Sequence, residues 1–254
     1  MKKQHTLKDK ITFYVMAVAI LLAALITVNM SVGSVISTNT VLLENMQITA
    51  RIASQSISSN LHLLTERMYH FSSGDVFADP AADDRQKEAR MEEIKRQIEF
   101  VWLAAYDTSG QRLYGDQEAP ADISSQVYYA SMLSTGNIVI GDPYEADGML
   151  QLCVGCPLKE GDLVTGYLVG SYKYDLLNDV MSLLILGNTG GACILNEDGL
   201  IVGDVRKEEI AGRRNIYEVY SSSKNAEIFD RALACQTGSA LMRMKGIKRY
   251  VGYA

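Results

Sequence analysis

The sequence predicts an α+β chain: a membrane-spanning helix that runs on into a long helix, then two similar modules built on antiparallel sheets. Three observations carry this. Residues 11–43 contain no Lys, Arg, Asp, Glu or His. Apolar or small residues then recur at helical spacing as far as Phe71. Beyond Phe71 the pattern changes to short apolar runs separated by turns containing Gly, Asn or Asp, and one strand–turn–strand unit occurs twice.

The first stretch is apolar enough to live in lipid up to residue 33. About twenty apolar residues at ~1.5 Å each cross a hydrocarbon core of ~30 Å. A helix is the single-segment structure that satisfies its own backbone there. Residues 11–33 therefore read as a transmembrane helix. Lys2, Lys3, Lys8 and Lys10 precede it against Asp9. That imbalance makes residues 1–10 a cytoplasmic tail and puts the chain from residue 34 on outside. The rival reading is a cleaved signal peptide, with Ser31-Val32-Gly33 as its small-residue cleavage site. Its apolar region would be long for that role, and the helical pattern runs straight through the cut.

Residues 34–73 continue as a long extracytoplasmic helix. They hold no Pro and no Gly. Leu43, Met46, Ala50, Ala53, Ile57, Leu61, Leu64, Met68 and Phe71 step by three and four, a seam close to a heptad. Such a seam can pack on its own domain or on a second copy. Both are expected, at different heights, with a homodimer formed through this helix. Ser72-Ser73-Gly74-Asp75 ends it. Asp79-Pro80 then reads as N-cap and first residue of a second helix over 81–97, whose mixed charges form a solvated face.

Residues 74–178 form the membrane-distal module. Residues 100–106 read as a buried strand, and 111–114 as its return after Thr108-Ser109-Gly110. A short helix over 123–133 and strands over 137–141, 149–156 and 163–173 follow, with Asp142-Pro143 as a turn. A helix over 174–184 leads to the membrane-proximal module, residues 179–254, which opens on a Gly-rich turn at 187–190. There 192–196 and 200–202 read as strands around Glu197-Asp198-Gly199, and 216–220 and 226–234 as helical. Residues 238–244 and 248–254 read as a hairpin around Lys245-Gly246. The repeat pairs Tyr106-Asp107-Thr108-Ser109-Gly110, leading to Gly115-Asp116, with Leu195-Asn196-Glu197-Asp198-Gly199, leading to Gly203-Asp204. The chain stops inside an apolar strand, so a fragment of a longer protein is expected.

Composition narrows the function. At 48% hydrophobic, the chain can form one or two modest cores beyond the anchor. Net charge is −6, of which the first ten residues carry +3 and the remainder −9. So acidic an exterior argues against nucleic acid as a partner and against a basic surface for anionic lipid. His5, His62 and His70 all lie outside the two modules, which argues against Ser-His-Asp catalysis and His-based zinc sites. Cys153 and Cys156 sit three apart in a run that reads as a strand, so they point to opposite faces. No second Cys pair completes a zinc set. Disulfides among Cys153, Cys156, Cys193 and Cys235 stay open. Gly187-Asn188-Thr189-Gly190-Gly191 lacks the Lys-Ser/Thr of a phosphate-binding loop. No metal, cofactor or catalytic residue is expected, and enzyme activity is not expected in this stretch of chain, although an output domain beyond it could be enzymatic.

The order of parts resembles the double Cache sensor domain of bacterial transmembrane receptors, most of all methyl-accepting chemotaxis proteins. The anchor, the long helix, the two PAS-like modules and the strand–Asn196-Glu197-Asp198-Gly199–strand hairpin carry the resemblance. So do the runs over 166–177, 236–240 and 250–254. The resemblance implies a small-molecule ligand in the membrane-distal module and a second transmembrane helix beyond residue 254. One subset of the family binds amino acids through Tyr-x4-Arg-x-Trp-Tyr and a later Asp. Those positions fall on Ala121, Gln126, Tyr128 and Tyr129, and near Ser171 or Tyr172. Without the Arg fork and the Asp, a free amino acid held in that way is not expected.

Trp102, Tyr128, Tyr129, Tyr144, Asp147, Gln151 and Ser171 are the ligand-binding candidates, as aromatic walls with a few polar groups suit a small-molecule cleft. Their convergence is what the resemblance implies. The expected function is extracytoplasmic ligand sensing at the cell membrane. The same sensor type serves histidine kinases and diguanylate cyclases, and a surface-anchored binding protein that does not signal is a further alternative.

Overall fold

Helix α1 (Leu7–Ser73) runs unbroken through both of the helical segments separated above. The computed structural model describes residues 7–73, 76–77, 79, 81–97, 100–174, 181, 190–244 and 246–254. At ~1.5 Å per residue, α1 is about 100 Å long. Every side chain from 11 to 38 is exposed, and this part is long and apolar enough to cross a bilayer. Two of its polar groups turn back onto the helix. Thr27 Oγ1 donates to the Ala23 carbonyl at 2.8 Å and Asn29 Nδ2 to the Leu25 carbonyl at 2.9 Å. That leaves little polar surface for lipid to solvate. From Leu43 onward the seam turns inward: all nine of its positions are buried or half-buried, against this chain's own modules.

The main sheet has six strands: β1 (Phe100–Tyr106), β2 (Arg112–Gly115), β3 (Val139–Ile140), β4 (Tyr144–Ala146), β5 (Met149–Glu160) and β6 (Leu163–Lys173). The order is β2-β1-β6-β5-β3, with β4 also on β5, and every pairing is antiparallel. Both faces are covered, which is why β5 and β6 read as near-continuous apolar runs. One face packs Leu103, Leu152 and Leu168 against Leu64, Met68 and Phe71 of α1 and Met91 and Ile94 of α2 (Asp84–Gln97). The other packs against α3 (Val127–Thr135). Cys153 and Cys156 fall on opposite faces, both as free thiols. Ser72 Oγ and Cys156 Sγ meet at 2.8 Å and fix the end of α1 to the sheet.

The start of α2 corrects the sequence reading. Asp79 makes a local turn, its carboxylate accepting from the Ala81 amide at 2.8 Å. The cap is Asp83: its carboxylate accepts from the Gln86 amide at 2.8 Å while Gln86 Oε1 accepts from the Asp83 amide at 3.0 Å. This reciprocal box satisfies two amides that the first helical turn leaves without partners. Asp83→Ala is expected to cost about 1 kcal/mol. A fall in urea midpoint at unchanged m-value would register it. Other elements differ too, and β5 runs on to Glu160 where its pattern predicts an end at 156. The helix expected from 123 starts at Val127, and β4 was not foreseen.

The C-terminal part holds β7 (Cys193–Leu195), β8 (Ile201–Asp204), α4 (Lys207–Ala211), α5 (Ile216–Val219), α6 (Ser223–Leu233), β9 (Gly238–Met244) and β10 (Ile247–Tyr253). Helix α4 was not foreseen. Ser222 caps α6, its hydroxyl accepting from the Asn225 amide at 3.2 Å. Strands β7–β8 and β9–β10 form two separate ladders among the described residues. Ile201, Ile210, Ile216, Phe229 and Met242 form their common core, which also takes in Leu150 and Tyr174 beside the six-stranded sheet and Ile57 and Leu61 of α1. Apart from Tyr174, Met181 and residues 190–191, the helix expected over 174–184 and the turn over 187–191 lie outside the described residues, as do Gly74, Asp75, Pro80 and Lys245.

The repeat survives as a shared hydrogen-bond pattern. The Asp107 amide donates to the Gln111 carbonyl, and the Asn196 amide to the Leu200 carbonyl. Asp107 Oδ1 accepts from the amides of Ser109 and Gln111, as Asn196 Oδ1 does from those of Asp198 and Leu200. The Gly110 carbonyl accepts from Ile123 and the Gly199 carbonyl from Ile216, each at 2.9 Å. The two units are one design used twice.

Candidate functional site

The α3-side face of the six-stranded sheet is set by a slip in register. Phe100 pairs with Tyr172 and Trp102 with Ser171, so β1 carries a bulge between them. Without the bulge, Phe100 and Trp102 would share a face, since side chains alternate along a strand. With it, Phe100 stays on the α1–α2 side while Trp102 crosses to the α3 side. Trp102, Ser171 and Cys153 then stand in one row across β1, β6 and β5.

Next to this row, β4 lays Tyr144 against Gln151 of β5. The Tyr144 hydroxyl donates to Gln151 Oε1 at 3.0 Å and lies 2.9 Å from Ser171 Oγ. Ser171 Oγ donates to Gln151 Oε1 at 2.7 Å. Gln151 is 2% exposed and Ser171 is 0% exposed, so this triangle is a buried polar network inside an aromatic wall. The Trp102 indole N–H and, at 3.6 Å, the Cys153 thiol also face the Tyr144 hydroxyl. The Tyr128 ring closes the side toward Gly141, where a Cβ would stand 3.1 Å from it.

Five of the seven residues singled out in the sequence thus come together: Trp102, Tyr128, Tyr144, Gln151 and Ser171. Tyr129 lies in the same apolar cluster but sends its hydroxyl to the Thr108 carbonyl at 2.8 Å. Its ring meets Tyr167 edge-on at 5.4 Å. Asp147 is not brought to them. It is exposed at the β4–β5 turn, where it has φ 53° and Gly148 has φ 70°. Two successive left-handed residues make the tight hairpin turn that Asp-Gly favours, and that turn aims the carboxylate at solvent. The same Asp-Gly signal could have revealed β4. Cys153 was set aside as structural, although its alternation with Gln151 placed it on the same face.

The electrostatics are those of a neutral site. Burial raises the Tyr128 and Tyr144 hydroxyls well above the usual phenol range. Burial pushes the Cys153 thiol up to about 11, against the smaller opposing effect of hydrogen bonds from Tyr144, Tyr128 and Ser171. A thiol raised in the folded state stabilises the fold fully below its unfolded value, 9.0, and loses that contribution as pH rises through about 11. Thermal stability is therefore expected to fall between pH 9 and 11, and Cys153→Ala to shallow that fall. Melting curves of both proteins across that window test it; parallel profiles would reject the assignment.

Asp142, in the β3–β4 connection, ties this face to the C-terminal part. Its carboxylate accepts from Asn196 Nδ2 at 3.2 and 3.3 Å and faces Arg213 Nη2 at 3.5 Å. Open clefts of about 430 and 490 Å³ lie elsewhere. One is between α2 and the β1–β2 edge, and the other is along α1 at His62, Glu66 and His70. No three His, Cys, Asp or Glu side chains among the described residues are placed to hold a metal ion together.

A family model described as Cache domain matches residues 36–254. No curated protein matches the chain. Among solved structures, one similar fold is the ligand-binding domain of the Pseudomonas aeruginosa PAO1 amino acid chemoreceptor PctB in complex with L-Gln. It has 17% identity and a TM-score of 0.63, over 82% of this chain and 81% of that one. Another is the ligand-binding domain of the Campylobacter jejuni chemoreceptor Tlp3 with 4-methylisoleucine, at 10% identity and TM-score 0.61, over 84% and 85%. The extracellular domain of the histidine kinase mmHK1S-Z3 matches at 13% identity and TM-score 0.59, over 82% and 86%.

Proposed function

The chain belongs to the Cache domain family, and from that premise we propose that it is the extracytoplasmic small-molecule sensor of a membrane receptor of the chemotaxis type. The buried triangle of Tyr144, Gln151 and Ser171 inside an aromatic wall carries this reading. Both hydroxyl protons go to Gln151 Oε1, which leaves the Gln151 amide N–H groups to donate and the Ser171 hydroxyl oxygen to accept. No charged side chain takes part. The ligand would be a small uncharged molecule with both a hydrogen-bond acceptor and a donor, and an apolar face to set against Trp102 and Tyr128. The rings close the face in this structure, so entry would need Tyr128 and Tyr144 to swing outward.

The remaining geometry suggests how occupancy would be passed on. Residues 11–33 would cross the bilayer with residues 1–10 in the cytoplasm. Residues 74–178 would be the membrane-distal module and 179–254 the membrane-proximal one. Displacing β4 would pull Asp142 against Asn196 and Arg213, so ligand would bias the second module and α1 together. A differential affinity of ~1–3 kcal/mol is enough for useful coupling. The exposed face of α1, with Val41, Ile48, Ile52 and Leu63, would receive a second copy. The likeness to a histidine kinase extracellular domain supports the alternative output, since one sensor can drive either.

The test is a thermal-shift screen of the detergent-solubilised chain against uncharged metabolites, followed by titration calorimetry of any hit. Gln151→Leu or Ser171→Ala is expected to weaken binding roughly tenfold by removing one hydrogen bond. A ligand indifferent to both substitutions would refute the site.

A further inference from the structure

The β9–β10 hairpin ends in a cluster of positive charge at one particular height on α1. Arg243 and Lys248 pair directly across the ladder, both exposed. Like charges directly opposite each other repel, and neither side chain has an ion-pair partner among the described residues. Ile247, which opens β10 at the hairpin end, is 59% exposed. Residues 241–250 contain four Lys or Arg and no Asp or Glu. The overall acidity that argues against a basic surface for anionic lipid belongs to the other part of the chain. Residues 74–178 hold 8 Lys+Arg against 18 Asp+Glu, whereas residues 179–254 hold 10 against 9.

The height follows from two contacts. The Tyr250 hydroxyl hydrogen-bonds Asn39, and Gly252 packs against the Met46 carbonyl. Strand β10 therefore runs along α1 in the same sense, and its earlier residues lie toward the N-terminal end of the helix. Ile247 is three residues before Tyr250, or about 10 Å of strand. Asn39 is six residues past Gly33, or about 9 Å of helix. The hairpin end thus stands level with residue 33, where the apolar stretch stops.

We propose that this hairpin docks on the anionic phospholipid headgroups of the bilayer that holds α1, with Arg243 and Lys248 on the phosphates and Ile247 entering the interface. This rests on α1 crossing the membrane. Headgroups at that level lie within a Debye length of both cations, about 10 Å at 0.1 M salt. A basic residue near an anionic surface is worth roughly fivefold in binding. The lipid removes the cross-strand repulsion by supplying the counter-charge. Occupancy of the surface would also hold β10 against α1 at its membrane end.

The experiment places the whole chain in nanodiscs of zwitterionic lipid alone or with about one-third anionic phospholipid, and follows amide exchange over β9 and β10. Anionic discs are expected to slow exchange there by at least about fivefold. Arg243→Gln with Lys248→Gln should abolish the difference, as should high salt. The double variant should fold normally in zwitterionic discs, because it relieves a repulsion. Protection that is the same in both discs overturns the proposal. So does protection that depends on protein concentration, which would mean a second copy, or protection reproduced by inorganic phosphate over zwitterionic discs. Failure of the chain to enter discs at all would instead strike the membrane-spanning reading of α1.

Discussion

Gly252→Ala is expected to be among the most disruptive single substitutions in the C-terminal part. A Cβ at this position would fall inside the van der Waals radius of the Met46 carbonyl, with the Gln47 amide nitrogen 3.0 Å away. Both obstacles are backbone, so no side-chain rotation can make room. Either β10 lifts off α1 or the helix bends. Overpacking of this kind costs ~1–3 kcal/mol, and occasionally more where the neighbour cannot yield. The loss should be local as well as global. Amide exchange over β10 should accelerate while that of β1 and β6 stays protected, because the six-stranded sheet has its own core. Equal acceleration everywhere would mean that the strand–helix contact is not a separate unit.

Met68→Ala is the second large effect, and it acts on the other module. Met68 is 0% exposed, on the α1 face that packs with Ile94, Leu103 and Leu168. Truncation leaves a cavity beneath a rigid helix and sheet that cannot collapse to fill it. The expected cost is ~2–5 kcal/mol. For a folded part of this size that is a fall of very roughly 5–15 °C in Tm. His62→Ala, on the exposed face of the same helix, should move Tm by less than about 1 °C and serves as the control. A small effect at Met68 would show that α1 is loosely docked, and with it the route from sheet to membrane would fail.

These two positions also show what could be read in the chain. Met68 was legible as a core residue because helical spacing alone separates the faces of α1. The nine seam positions step by three and four, and all nine turn inward. Strands β1, β6 and β9 were legible from apolar runs bounded by turn residues, with bounds that match. The candidate site was legible in part. Gln151 and Ser171 lie on strands that were visible as apolar runs, but Trp102 reaches them through a bulge that no periodicity announces. Asp147 looked like a pocket carboxylate because type and neighbourhood suggest one, whereas the backbone of a two-residue turn decides where it points. The cap of α2 moved from Asp79 to Asp83 for a similar reason. Both are acceptors before a helical run, and the reciprocal bond from Gln86 selects the second.

By itself, the sequence determined a helix long and apolar enough to cross a bilayer, its long continuation, the repeated strand–turn–strand unit and the absence of histidine after residue 70. Each of these depends on local spacing, local turn chemistry or composition. Tertiary structure decided the register of β1 on β6, the closed polar triangle, the contact of Asp142 with Asn196 and Arg213, and the height of the basic hairpin against α1. Those join residues tens to hundreds of positions apart, and their geometry is fixed only when packing selects one register among several that the local pattern allows.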